Sequence, residues 1–206
     1  MTDYTKIKNG ISKIIWGYFF LYFNINLGTV SILPTFIAYI LFLSAIELLK
    51  DEERELSLLR PLGVILGIWE AIEWLATCVG YSFDNKWQFL NLIIGLVNLY
   101  FHFQFITNLA TIAKRYQQEN CSYDKKLITC RTIQTIMLTF FLVITSFYFL
   151  FEEFWIYISS ALAVCYVIIS IYIMITLNQL KNHLRKDEEN VNGEEIEANE
   201  TEIDLQ

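Results

Sequence analysis

The sequence predicts an all-α protein, a polytopic membrane bundle of about six helices, and three observations carry that expectation. Of 206 residues, 55% are hydrophobic and only 18% are charged, where a soluble domain carries roughly 25% charged residues. The charges fall in short blocks, and the apolar runs between them are long enough to cross about 30 Å of hydrocarbon at 1.5 Å per residue. Six helices with both termini cytoplasmic would place every Lys and Arg except Lys86 on one side, the asymmetry expected of cytoplasmic loops.

The amino terminus, MTDYTKIKNGISKIIWGYFFLYF, has the basic start and apolar stretch of a secretory signal. No small-residue cleavage site follows, so it reads as an uncleaved first helix. The apolar region 9 to 49 is too long for one span and short for two. Its middle, NINLGTVSIL, is a polar turn followed by Pro34. Proline suits the first turn of a helix, where its missing N–H has no partner to lose. Two short helices result, a hairpin that either spans the membrane or re-enters it. A single first span would instead leave Lys6, Lys8 and Lys13 outside.

The third helix opens at Pro61 after the charged block KDEERELSLLR and runs to Gly80. A fourth is expected over about 88 to 113, a fifth over about 132 to 151 and a sixth over about 154 to 180. The link between the last two, Phe151-Glu-Glu-Phe154, faces outward and is short enough to make them antiparallel neighbours. Long side chains at Glu47 and Arg131 lie near the inner boundary, within reach of headgroups.

The membrane domain is thus expected over 1–180 and an acidic cytoplasmic tail over 181–206. Residues 187–206 hold nine acids and no Lys or Arg. Such a segment has too few apolar residues to bury a core and is expected to be disordered. The net charge of -7 resides there, leaving the membrane part mildly basic.

The costly residues are in GIWEAIEWL, where Glu70 and Glu73 sit near the centre of the third span. Each ionised carboxylate at a helix centre costs about 2.5 to 3.5 kcal/mol, which offsets most of what eight apolar residues gain at about 0.5 kcal/mol each. The pair therefore needs partners or protonation. The next helix offers Asn91, Gly95, Asn98 and His102 at spacings of four, three and four, which at about 100° per residue form one stripe. Gly63 and Gly67 share a face with Glu70, and small residues let helices approach closely in lipid. Two readings stay open. Glu70, Glu73, Asn91, Asn98 and His102 form a proton, cation or polar-solute site, or they hydrogen-bond to one another as helix packing.

The segment NINLGTVSILPTFIAYIL (Asn24 to Leu41) resembles a pattern near the start of a group of small bacterial multi-spanning membrane proteins, in which N-I is followed by L-P-x-F-I-x-Y-I-L. That group has an Asp after the proline and a Gly before the tyrosine, where Thr35 and Ala38 stand here. The resemblance implies a bacterial cytoplasmic-membrane protein and transfers no site.

No G-x-S-x-G, Walker loop, H-E-x-x-H or Gly-rich phosphate cradle is present, so no catalytic residue is assigned and an enzyme is the less favoured class. The E-x-x-E pair with one nearby histidine lacks the E-x-x-H repeats of di-iron bundles. No metal or other cofactor is expected. Cys78, Cys121, Cys130 and Cys165 make no C-x-x-C pair and read as small hydrophobes or free thiols. The expected partners are the lipid bilayer, a second copy of the chain and a basic cytoplasmic protein for the acidic tail, with no nucleic acid. The leading expectation is proton- or cation-linked transport or polar-solute binding. Its rival is a non-transporting sensor or assembly subunit.

Overall fold

A computed structural model describes residues 4–23, 26–27, 30–31, 34–80, 87–118, 120–146 and 155–203. Six α-helices dominate: α1 (Tyr4–Tyr22), α2 (Phe36–Leu49), α3 (Arg60–Cys78), α4 (Gln88–Tyr116), α5 (Tyr123–Ser146) and α6 (Trp155–Ile203). A short 3-10 helix, Arg54–Leu59, precedes α3. Between α1 and α2 lie two-residue strands β1 (Asn26–Leu27) and β2 (Val30–Ser31), paired antiparallel with Asn26 opposite Ser31. Lys86 and the connection 151–154 fall outside the described residues.

The first two helices form a tight antiparallel hairpin. Lys13 Nζ donates to Ser44 Oγ across it. A Cβ on Gly10 would lie 2.7 Å from Leu49 and one on Gly17 would lie 2.5 Å from the Phe42 ring. Only glycine permits that approach. Tyr18 packs edge-on against Phe42, and the buried face of α1 is Ile7, Ile11, Ile14 and Tyr18, spaced by three and four as one helical face requires.

Each later helix reverses direction against its predecessor. Gly63 and Gly67 of α3 face Leu43 and Tyr39 of α2. On α4, Gly95 faces Leu142 of α5, while Arg131 of α5 reaches back to Thr107. Gln134 of α5 reaches Tyr166 of α6, and Tyr22 of α1 also meets Tyr166, which closes α6 onto α1.

Four helical stretches are long and apolar enough to cross a membrane, Arg54–Cys78, Phe89–Tyr116, Tyr123–Ile144 and Tyr157–Leu184. Only 11 to 22% of the 18-residue apolar segment within each is enclosed by the rest of the protein. Val79, Phe89, Ile136 and Tyr157 are 64 to 80% exposed. Apolar surface on that scale, along every long helix, needs an apolar surrounding. In the 14-residue α2, by contrast, Ala38, Tyr39, Phe42, Ala45, Ile46 and Leu49 are all buried.

Two boundaries differ from the expected ones. Helix α4 continues to Tyr116 and α5 already begins at Tyr123, so the expected loop over 114–131 shrinks to a short link. Lys114 and Arg115 occupy the last turn of α4 and Asp124 the first turn of α5, the signs that the helix dipole favours. Gln117 Nε2 donates to Asp124 Oδ1 at 2.8 Å and its Oε1 accepts from the Asp124 backbone N–H at 3.2 Å, which pins the link. Helix α6 runs on as 49 residues through the acidic stretch to Ile203. Propagating an existing helix needs no new nucleus.

Candidate polar sites at membrane depth

The face of α3 that meets α2 carries Gly63, Gly67, Glu70 and Trp74, which lie within about 60° of one line at 100° per residue. The Trp74 ring meets Phe36 edge-on at 5.7 Å, and a Cβ on Gly67 would sit 3.2 Å from Tyr39 Cβ. Glu70, between them, is partly buried against α2. Glu73 is also partly buried and accepts from Trp69 Nε1 of its own helix at 2.8 Å.

The polar stripe on α4 separates on folding. Asn91 is exposed. Asn98 Oδ1 accepts from Tyr39 Oη of α2 at 3.2 Å. His102 is 1% exposed, with ring contacts to Tyr18, Phe42 and Phe101 at 5.9, 5.9 and 5.4 Å. Neither of its ring nitrogens has a hydrogen-bond partner. The expected meeting of His102 with the α3 carboxylates is therefore not what the fold makes. A Cβ on Gly63 of α3 would lie 3.3 Å from the Phe101 ring. Consecutive helical residues diverge by about 100°, so His102 turns from α3 toward α1 and α2.

Tyr39 links the two halves of the expected site. It lies on α2, with its Cβ at Gly67, one turn before Glu70, and its hydroxyl on Asn98. Glu70 and Asn98 thus flank one tyrosine.

A second polar node joins α1, α5 and α6. Gln134 Nε2 donates to Tyr22 Oη at 3.0 Å and to Tyr166 Oη at 2.9 Å, and the two hydroxyls are 3.2 Å apart. Ser170 Oγ donates to the Tyr166 carbonyl. Tyr18 is buried nearby, stacked on Tyr22 at 5.8 Å, with no partner for its hydroxyl. One signal for this node was present in the sequence, a glutamine amid the apolar residues of the fifth span. Tyrosines are too frequent here, 12 in all, to point to their partners.

At the other end of the bundle the connection before α3 is tied to α4 by polar contacts. Glu52 accepts from Tyr116 Oη, Arg115 pairs with Glu52 and Glu53, and Gln104 donates to Glu55 at 3.1 Å. Glu47 accepts from Lys50 at 2.5 Å and pairs with Arg60 at 3.4 Å, and its hydrogen bond holds the Lys50 ammonium above the usual lysine range. Among the described residues no group of three His, Cys, Asp or Glu is placed to hold a metal ion, and all four cysteines are free thiols.

No protein-family model matches the sequence, and neither a curated protein nor a solved structure is similar to it.

Proposed function

We propose that the chain is a multi-pass protein of a bacterial cytoplasmic membrane, with six membrane helices, both termini cytoplasmic, and a proton, cation or small polar solute bound at Glu70. The observation that carries the site is the position of Glu70 on the α2-facing side of α3, one turn after the Gly67 that meets Tyr39, whose hydroxyl bonds to Asn98. An ionisable group held at membrane depth is costly and is a functional candidate by default. The alternating helix directions and the sidedness of Lys and Arg support six helices with cytoplasmic ends. A carrier of this size would work as a homo-oligomer, since six short helices are too few to rock as two internal halves.

A second reading, a non-transporting sensor or assembly subunit, has its own support. Glu73, Asn98 and His102 are each engaged by a different neighbour, Trp69, Tyr39 and an aromatic cluster, as packing residues would be. The acidic end of α6 would then bind a basic partner.

Liposome flux separates the two. Gradient-driven proton or monovalent-cation flux in wild type should fall at least tenfold in well-folded Glu70→Gln. Absence of flux in wild type, or full flux in Glu70→Gln, removes Glu70 as the transport site. Activity lost on deleting residues 187–206 but kept in Glu70→Gln would favour the second reading.

A further inference from the structure

Arg131 stands eight residues, roughly 12 Å, into α5. Its Nη1 donates to Thr107 Oγ1 at 3.0 Å, and its guanidinium lies 4.4 Å over the Phe103 ring. A hydroxyl and an aromatic face fix the group against α4, and neither supplies a countercharge. Arg60 and Arg115 pair with carboxylates, whereas Arg131 has no ion pair among the described residues. Its Nε is buried without a hydrogen-bond partner. A guanidinium stays charged in proteins, and a charge at membrane depth ordinarily finds a partner.

One turn further along α5 an open concavity of about 360 Å³ begins, lined by Thr135, Ile136, Thr139, Phe140 and Val143. Its surface is almost all carbon, and Ile136, Phe140 and Val143 are exposed. The trough's lining rises roughly 12 Å from Thr135 to Val143 and Arg131 stands one turn before it, so cation and trough together cover roughly 18 Å, close to the roughly 15 Å of a single leaflet's hydrocarbon. A fixed cation one turn from an apolar trough, on the side of α5 that Thr135 shares, has the polarity of a phospholipid site.

We propose that this surface of α5 binds an anionic phospholipid of the leaflet at the Tyr123 end, with the phosphate on Arg131 and an acyl chain along Thr135 to Val143. The N–H groups of Arg131 that do not meet Thr107 suit the paired hydrogen bonds of guanidinium and phosphate. Selectivity for an anionic headgroup follows from the unneutralised charge, reinforced by Lys114, Lys125 and Lys126 at the same end of α4 and α5. A zwitterionic headgroup would bring its own cation beside them. The site is separate from Glu70 and rests only on the chain spanning a bilayer.

The test is native mass spectrometry of the detergent-purified protein with an equimolar mixture of palmitoyl-oleoyl phosphatidylglycerol and phosphatidylcholine. Wild type should retain phosphatidylglycerol at least tenfold over phosphatidylcholine, Arg131→Gln should lose that preference, and Arg131→Lys should keep part of it. The pair Lys125→Gln with Lys126→Gln should keep most of it. Equal retention of the two lipids by wild type overturns the site, as does an equal loss in the Lys pair, which would assign the preference to diffuse charge. Should Arg131→Gln not fold, an Ile136→Trp reporter reads the same trough, and equal quenching by brominated phosphatidylglycerol and brominated phosphatidylcholine also overturns the proposal. A protein that stays soluble and monodisperse without detergent would sink the membrane reading itself, an outcome distinct from each of these.

Discussion

The α1–α2 hairpin and the four long helices solve opposite packing problems. The hairpin contributes Tyr18, Tyr39, Phe42, Ile46 and Leu49 to the interior, each 0 or 1% exposed, although α2 is only 14 residues long. The long helices are individually apolar enough to span a membrane yet remain mostly uncovered. Length and burial therefore run in opposite directions here: α2 is as apolar as the long helices but only 14 residues long, and it is the most covered. The helices long enough to span lipid face outward, and the α1–α2 pair, with lysines on α1 and glycines at its closest approach, becomes the protein-covered centre. Helix contacts in lipid come from close packing and polar bonds more than from expelling water, which is the chemistry of Gly10, Gly17 and the Lys13–Ser44 bond.

The largest effect is expected where the hairpin is densest. Phe42→Ala removes a ring that touches Tyr18, Tyr39, Phe101, His102 and Phe105 and should cost about 3 to 5 kcal/mol, read as a lower denaturation midpoint in detergent. Val164→Ala, on an exposed face of α6, should change stability by no more than about 0.5 kcal/mol. Similar costs for the two would erase the contrast between the regions.

The outward helices break by a different route. Ile168→Arg, on the exposed face of α6, should raise the apparent cost of inserting that segment by about 3 to 4 kcal/mol, measured by glycosylation mapping in microsomes. Unchanged insertion would mean that lipid does not cover this face. A smaller loss is expected at the polar node between the regions. Gln134→Leu removes both of its bonds to Tyr22 and Tyr166 and should cost about 0.6 to 1.7 kcal/mol, sharpened by a double-mutant cycle with Tyr166→Phe, where strict additivity would deny the coupling.

The membrane architecture was legible because apolar run length is a local property. Pro34 and Pro61 marked the starts of α2 and α3 to within two residues. The polar site was legible only in part. Periodicity placed Gly63, Gly67 and Glu70 on one face, and the fold keeps them there, but that face meets α2 at Leu43 and Tyr39 and reaches the expected α4 at Phe101, beside Gly63. A stripe states which way residues point along their own helix and leaves open which helix stands opposite. The same gap hid the Gln134 node, whose three members are scattered over α1, α5 and α6. The charged residues around 114–131 were read as loop because charge suggested water, whereas at helix ends charge stabilises the last turn.

Helix α6 gives the molecule a vertical charge gradient. From Leu184 to Ile203 it continues for 19 residues, roughly 28 Å. Arg185 and Lys186 come first, and the acids from Asp187 onward come after them. The Debye length at physiological ionic strength is about 8 Å, so the far acids would stand beyond the field of an anionic membrane surface while the basic pair remains within it. Such a rod is attracted to an anionic bilayer at its root and repelled along its length, which tends to hold it upright.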